Sequence, residues 1–300
     1  MNHLSRVLVA IDFSKPARHA FDYALELSRH HGAELIAVQA VPTDDTFARH
    51  AGARLTLAET LRQRTDQAGV KFSFRVQTGE PAEIVLLHAR SLCPGVIVAG
   101  THQRRGLERV RVGSVAERIA AAATVPVLLV PGRGRASASG SFRHVVVAVD
   151  FTSASRRAIE HGLTLARHSD DRITLIHVLP GSSAEVPPHL YGYAFEQHQD
   201  PLIEDMQRRL RTLIPEERTS QAAIDVHVVR GDAATEIAEI VDSIGADLLV
   251  VGVTKRGILS RALFGSTAVR LLKVTPVPML AVPDLGPSAE EESTALQLAA

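Results

Sequence analysis

The chain has 300 residues, 45% hydrophobic and 22% charged, which is enough apolar material for real cores and about two domains. Its 33 basic and 33 acidic residues balance, so no global charge advertises a nucleic acid or an anionic membrane as partner. One cysteine, Cys93, excludes an internal disulfide and fits a reducing compartment, and no stretch approaches the roughly 18–20 apolar residues of a bilayer span.

The opening MNHLSRVLVAIDFS has an apolar run too short for a secretory signal and is followed at once by Asp12, so a cytoplasmic protein is expected. VLVAI is a short continuous apolar run, the pattern of a parallel strand covered on both faces. Ser14 can cap the helix that follows, where Ala17, Ala20, Phe21, Ala24, Leu25 and Ser28 fall on one stripe. Gly32 is its expected C-terminal glycine. Leu35 to Val41 is a second strand. Asp44 to Gly69 holds a second helix with Leu55, Leu57, Ala58 and Leu61 on its apolar side, and Phe72 to Gln77 alternates as a third strand. Gly79-Glu80-Pro81 starts a helix through Ile84, Val85, Leu87 and His88, after which Cys93 is read as a half-buried structural thiol. Val96 to Ala99 is a fourth strand ending at Gly100. Val125 to Val130 is a fifth, whose proline argues for an edge or interface position.

Between the fourth and fifth strands lies the stretch VIVAGTHQRRGLERVRVGSVAE. A strand ending in glycine, an arginine-rich loop and a Gly113-Ser114 helix start make a plausible phosphate cradle, because glycine lets the backbone approach and exposed amides with the helix dipole favour an anion. Ser114 with Glu117 has the spacing of a capping box. An ordinary strand–loop–helix connection is the alternative. The chain repeats the pattern: Gly252 follows Gly100 by 152 residues (252 − 100), and Gly265-Ser266 follows Gly113-Ser114 by the same interval (265 − 113).

The repeat covers the whole unit. Gly132 to Ser141 is small and polar, a linker, after which HVVVAVDFT restarts the pattern of VLVAIDFS with an interval of 138 (150 − 12). By Gly231-Asp232, which match Gly79-Glu80, the interval is 152, so the second copy carries 14 extra residues (152 − 138) between its second and third strands. Val277 to Val282 is the last strand, and the tail from Leu285 with its three glutamates is expected to be disordered. The predicted division is a first domain over 1–131, a linker over 132–142, a second domain over 143–284 and a tail over 285–300. Strands alternating with helices call for parallel α/β layers, with the ligand crevice outside the carboxyl ends of the strands where the winding reverses. With that reversal between the first and fourth strands, Asp12 faces Gly100 across one crevice and Asp150 faces Gly252 across another.

Each copy resembles a universal stress protein domain, and the chain resembles a tandem member of that family, over roughly residues 4–131 and 143–283. The matching features are VLVAIDFS and VVVAVDFT, HVLP in the second copy, GEPAEI and GDAATEI, and the closing blocks from GTHQRRGLERVRVGSVAERI to VPVLLVP and their second-copy equivalents. The resemblance implies an α/β fold of two tandem doubly wound five-stranded parallel-sheet domains, adenine nucleotide alpha hydrolase-like, packed as an internal pseudo-dimer through their fifth strands. It also implies ATP or a related adenine nucleotide as ligand, with or without Mg²⁺. ATP-binding members carry Gly, two residues, Gly, nine residues, Gly, then Ser or Thr. This sequence keeps the first and last glycines but has Gln103 and Lys255 at the second. A non-glycine residue there costs about 1–2 kcal/mol if the conformation is left-handed, although Lys255 offers a charge and Gln103 an amide donor to a phosphate.

On this resemblance Asp12 and Asp150 contact the adenosine end, and Ala40 and Val178 line the adenine. The main chain at Gly100, Gly113, Ser114 and Val115, and at Gly252, Gly265, Ser266 and Thr267, holds ribose and phosphates; Ala10 and Ala148 complete the implied set. Arg104, Arg105, Arg109 and Arg111 are read as a solvated loop face, with phosphate attraction as the alternative. They lack the aromatic platform of a nucleic-acid binder. Tyr191, Tyr193 and Phe195 form a surface insert or a lid. The 14 histidines show no zinc-like spacing, so no metal site is assigned. No Walker lysine-threonine pair and no Ser-His-Asp or Cys-His set is recognisable, so no catalytic residue is assigned and at most slow ATP hydrolysis is expected. The expected function is a nucleotide-responsive regulator or interaction module in stress adaptation. A nucleotide-free scaffold and a weak ATPase are the alternatives. The expected partners are adenine nucleotide and unidentified proteins, with a homodimer also open.

Overall fold

In the computed structural model the described residues are 4–41, 51–101, 114–132, 141–166, 170–181, 200–215, 223–254 and 265–284. The first half runs β1 (Arg6–Ala10), α1 (Lys15–His31), β2 (Glu34–Val41), α2 (Ala51–Gln67), β3 (Phe72–Thr78), α3 (Pro81–Leu92), β4 (Val96–Thr101), α4 (Ser114–Ala122) and β5 (Val127–Pro131). The second half repeats this as β6 (His144–Ala148), α5 (Ser153–Leu165), β7 (Arg172–Pro180), α6 (Pro201–Thr212), β8 (Ala223–Gly231), α7 (Ala233–Ser243), β9 (Leu248–Val253), α8 (Ser266–Val274) and β10 (Met279–Pro283). The fold is α/β, as the alternation predicts.

All ten strands form one sheet in the order β3-β2-β1-β4-β5-β10-β9-β6-β7-β8. Pairing is parallel within each half and antiparallel only where β5 meets β10. That seam is self-complementary. Leu128 lies opposite its own repeat counterpart Leu280, flanked by Leu129 opposite Met279 and Val127 opposite Ala281. A pairing centred on equivalent residues is what a twofold relation between the halves requires. The proline read as an interface signal, Pro126, stands just before β5, which begins at Val127, and Pro131 closes the strand.

Because the strands are apolar throughout, both faces of the sheet are covered. One face buries Val7, Val9, Leu35, Ala37, Leu128 and Val130 under α1 and α2, continuous with Val145, Val147, Ile173 and Leu280 under α5 and α6. The other buries Leu8, Ile36, Ile97 and Leu129 under α3 and α4, and Val146, Ile176, Leu249 and Met279 under α7 and α8. Phe142, at the end of the expected linker, is buried and stacks on Tyr23 of α1 with ring centroids 6.5 Å apart. The two halves therefore share core on both sides of the seam.

Local signals explain most helix ends. Ser14 accepts the Ala17 amide at 3.3 Å and Thr152 accepts the Ser155 amide at 3.3 Å, each opening its helix as an N-cap. The predicted α1 stripe is buried as expected. Three expectations are corrected. Leu55 of α2 is exposed, and the buried positions are Arg54, Leu61 and Thr65, a stripe that apolarity alone does not mark. Leu87 of α3 is likewise exposed. Cys93 is exposed too, and sits in a left-handed C-cap with φ 44, where its amide closes on the Ala89 carbonyl. It occupies the place a glycine usually takes.

Candidate functional site

The strand order reverses between β1 and β4, and again between β6 and β9, so each half has a crevice at the carboxyl ends of those strands. Asp12 and Asp150 leave β1 and β6 at these points, and both are exposed. Each first makes a local bond: Asp12 Oδ1 accepts the Ser14 amide at 2.8 Å, and Asp150 Oδ1 accepts the Thr152 amide at 3.1 Å. These Asx turns set the N-caps of α1 and α5. Ala10, Ala40 and Val115 are half-buried against one core, on the face that carries α3 and α4; Ala148 and Val178 hold the matching place in the second half. The structure thus brings the ends of β1 and β2 side by side, with the start of α4 on the same face of the sheet. Small side chains at Ala10, Ala40 and Ala148 leave this edge shallow.

Gly100 and Gly252 lie within the fourth strand of each half, which continues one residue past Gly100 to Thr101 instead of ending there. Their repetition has a packing cause. A Cβ on Gly100 would stand 2.4 Å from both the carbonyl carbon and oxygen of Pro16, and one on Gly252 would stand 2.4 Å from the Ala154 carbonyl carbon. The first turn of α1, and of α5, is seated on the bare backbone of the strand, and any side chain would lift it off.

The helix that follows each loop departs from the expected capping box. Ser114 and Ser266 are the first helical residues, and in the second half the N-cap is Gly265, which has no side chain to offer the first-turn amides. A Cβ on Gly265 would meet nothing within 4 Å, and Ser266 and Thr267 are exposed beside it. First-turn amides without a side-chain cap, at the positive end of a helix dipole, can receive an anion. Burial pushes the Glu117 carboxyl up from its ordinary value, and the charge of Lys273 in α8 draws it partly back. Gln103, Gly113 and Lys255 lie outside the described residues, as do the loop arginines Arg104, Arg105, Arg109 and Arg111, the insert residues Tyr191, Tyr193 and Phe195, and the tail from Leu285.

A repeated feature that sequence reasoning half found holds the α4 and α8 helices in place. Gly79 and Gly231 take φ 147 and φ 152, a region open to glycine alone, and turn the chain so that the next residue caps a helix. Glu80 caps α3 through the Glu83 amide at 3.0 Å, and Asp232 caps α7 through the Thr235 amide at 3.1 Å. Each cap also pairs with an arginine one turn into the next helix: Glu80 with Arg118 at 2.8 Å, and Asp232 with Arg270 through two bonds of 2.6 Å. Arg118 and Arg270 keep the 152-residue interval (270 − 118), the signal that would have marked them. The Arg270 fork and the Thr235 hydroxyl and amide hold the Asp232 carboxyl well below its usual value near 3.8. A depressed carboxylate contributes stability above its unfolded-state value and loses it as pH falls towards the folded one. Asp232→Asn is accordingly expected to flatten the acid side of the stability curve below about pH 4 while changing its slope at neutral pH little, as urea melts across pH will show.

Among the described residues no group of three or more His, Cys, Asp or Glu side chains is placed to hold a metal ion. No helix among them is long and apolar enough to cross a membrane.

Comparison with known proteins agrees with this architecture. The family model for the universal stress protein family matches residues 3–131 and again 141–283. Universal stress protein G of Shigella flexneri is 29% identical over 143 residues, covering 47% of this chain and 99% of its own. Stress response protein NhaX of Bacillus subtilis is 27% identical over 160 residues, covering 46% of this chain and 96% of its own. These relatives each span about half of the chain. The crystal structure of a universal stress protein from Archaeoglobus fulgidus covers 94% of this chain and 99% of its own with a TM-score of 0.74 at 18% identity, a likeness of fold across both halves. A protein of Pseudomonas aeruginosa PAO1 described as functionally unknown covers 99% of this chain and 97% of its own at TM-score 0.58 and 16% identity. Two family matches in one chain, joined through a single ten-stranded sheet, make this protein a tandem member of the universal stress protein family.

Proposed function

We propose that the chain is a stress protein regulated by adenine nucleotide: ATP or a related nucleotide, held in one or both crevices, shifts its conformation or its affinity for a partner protein. The observation that carries this reading is the helix start at Gly265, uncapped by any side chain and facing open space, in the helix that follows β9, one of the two strands flanking the switch point. The first-turn amides of α8, and of α4 in the other half, would hold phosphate. Half-buried Ala10, Ala40 and Val115, with Ala148 and Val178, would provide the apolar floor for a base, and Asp12 and Asp150 the acceptors for the sugar or adenine. The fit is one of small side chains and exposed amides.

The rival is a nucleotide-free interaction scaffold, and one observation favours it: Gly100 and Gly252 are required by helix packing, so their repetition does not by itself call for a ligand. Denaturing freshly purified protein and chromatographing what it releases separates the two. Adenine nucleotide in stoichiometric amount supports the regulator. A second arm adds ATP to stripped protein, where binding at about a hundredfold excess over Kd stabilises the fold by about 2.7 kcal/mol and raises the melting temperature. Gly113→Val combined with Gly265→Val is expected to abolish that shift while the unliganded melt stays in place. No released nucleotide together with no ATP-induced shift leaves the scaffold. Slow hydrolysis by the same site would appear as ADP formed in amounts that fall away in Asp12→Ala or Asp150→Ala.

A further inference from the structure

The start of the first strand in each half is tied to the end of the helix before the fourth strand, and the two halves build this joint from different chemistry. In the N-terminal half the Arg6 guanidinium donates to the carbonyl of Leu92, the last residue of α3, at 2.8 Å. Glu34, paired beside Arg6 on β2, lies 3.9 Å from the guanidinium and balances its charge. The Gly95 amide completes the joint by donating to the Arg6 carbonyl at 2.9 Å. Arginine keeps its charge throughout the physiological range, so the cation of this joint does not titrate.

In the C-terminal half the equivalent residues are His144 and Arg172, at an interval of 138 (144 − 6 and 172 − 34), and Ile244 and Asp247, at 152 (244 − 92 and 247 − 95). The His144 ring bonds the carbonyl of Ile244, the C-cap of α7, as Arg6 bonds Leu92. The Asp247 amide donates to the His144 carbonyl at 3.0 Å, and the Asp247 carboxylate accepts the Arg143 and His144 amides at 2.8 and 3.1 Å. His144 Nε2 lies 3.0 Å from the hydroxyl of Thr174, a residue 1% exposed that stands where the other half has Ile36 (174 − 36 = 138). A carbonyl can only accept, so the neutral ring spends its one N–H on Ile244 and takes the Thr174 hydroxyl as donor. Protonation turns that acceptor into a second N–H, and the buried hydroxyl must then turn away.

The charged groups around the ring are Asp247 before β9 and Asp225 of β8, which favour the imidazolium, and Arg172 of β7, which opposes it from the place where Glu34 supports Arg6. Burial is the largest influence and holds the His144 imidazole below its ordinary value of 6.5.

We propose that this joint is an acid-sensitive clasp: protonation of His144 opens the contact between the start of β6, the end of α7 and the turn before β9, while Arg6 keeps the matching contact of the other half closed. The clasp stands independently of the nucleotide reading. Its sign follows from the neutral ring being the form that the folded joint prefers. The contribution is fully present above the ordinary value of 6.5 and is lost as pH falls below it, until the folded ring takes its own proton. The result is one half whose joint follows pH and one whose joint does not.

The test is amide hydrogen exchange on the full chain between about pH 7.5 and 5.5, read as protection factors, with an NMR titration of the His144 ring in the same range. The Asp247 amide is expected to lose protection by up to about tenfold per pH unit below about pH 6.5, in step with the ring, while the equivalent Gly95 amide holds. His144→Gln offers a donor to Ile244 and an acceptor to Thr174 with no charge to gain, and is expected to remove the pH dependence at Asp247. A His144 ring that titrates at or above its ordinary value overturns the proposal. So does an Asp247 amide whose protection is constant across the range, an equal loss at Gly95, or a loss at Asp247 that persists in His144→Gln. The comparison of Asp247 with Gly95 in wild type needs no variant and decides the matter even where His144→Gln folds poorly.

Discussion

Gly252→Ala is expected to destabilise the protein by about 3 kcal/mol or more, and Gly100→Ala by a similar amount, the upper end of the usual overpacking range. The new methyl group of Gly252→Ala would sit 2.4 Å from the Ala154 carbonyl carbon and 2.6 Å from the Ser155 nitrogen, so the atoms it strikes are main chain and cannot rotate away. Relief requires lifting the first turn of α5 from β9, or of α1 from β4, and the cap bonds at Thr152 or Ser14 move with it. A drop in melting temperature of about 6–12 °C is expected for a chain of this size. Gly265→Ala is the control, because its methyl group would enter open space at φ −46, a value any residue adopts. It should melt like the wild type. The comparison also separates two causes for a repeated glycine. If Gly252 were kept for the approach of a phosphate, its alanine variant would fold normally and fail only in ligand binding.

This distinction was not available in the sequence, where Gly100, Gly113 and their counterparts look alike. What was legible was the part that depends on neighbours along the chain. Continuous apolar runs identify the parallel strands, the Ser14 cap follows from Asp-Phe-Ser, and the matched intervals expose the tandem repeat, whose Asp-Phe-Thr supplies the equivalent cap at Thr152. The seam was anticipated from proline beside the fifth strand, and β5 does pair with β10. Features that depend on the third dimension were misread. Leu55 is as apolar as Leu61 but points outward, while its neighbour Arg54 is buried on the same stripe as Leu61 and Thr65. Cys93 takes a left-handed conformation that its residue type does not announce. Ser114 reads as a cap because Glu117 follows it at capping-box spacing, yet Ser114 is already the first helical residue, and in the second half the N-cap is Gly265, glycine being itself an acceptable N-cap. The Glu80–Arg118 and Asp232–Arg270 pairs join residues 38 apart, and only a comparison of the two copies could have singled them out.

The seam between the halves carries the second large effect. Leu129 and Met279 lie opposite each other across β5 and β10, both fully buried, in the core that continues under α4 and α8. Leu129→Ala is expected to cost about 2–5 kcal/mol, the sum of lost transfer energy and the cavity left where the flanking strands cannot close in. The more informative result is where the loss appears. The sheet is continuous, Phe142 stacks on Tyr23 of the other half, and Leu128 pairs with its own counterpart Leu280, so the halves hold core in common. Hydrogen exchange should therefore show β1, β4, β6 and β9 losing protection together in Leu129→Ala, by a similar free energy, and urea unfolding should remain a single transition shifted to lower concentration. Loss confined to β1 and β4, or a split into two transitions, would show the halves to be independent units that merely touch. Shared stability has a functional corollary for a chain with two crevices on one sheet. A ligand that rigidifies one half then stabilises the other through β5 and β10, which is how occupancy of a single crevice could be felt across the whole sheet.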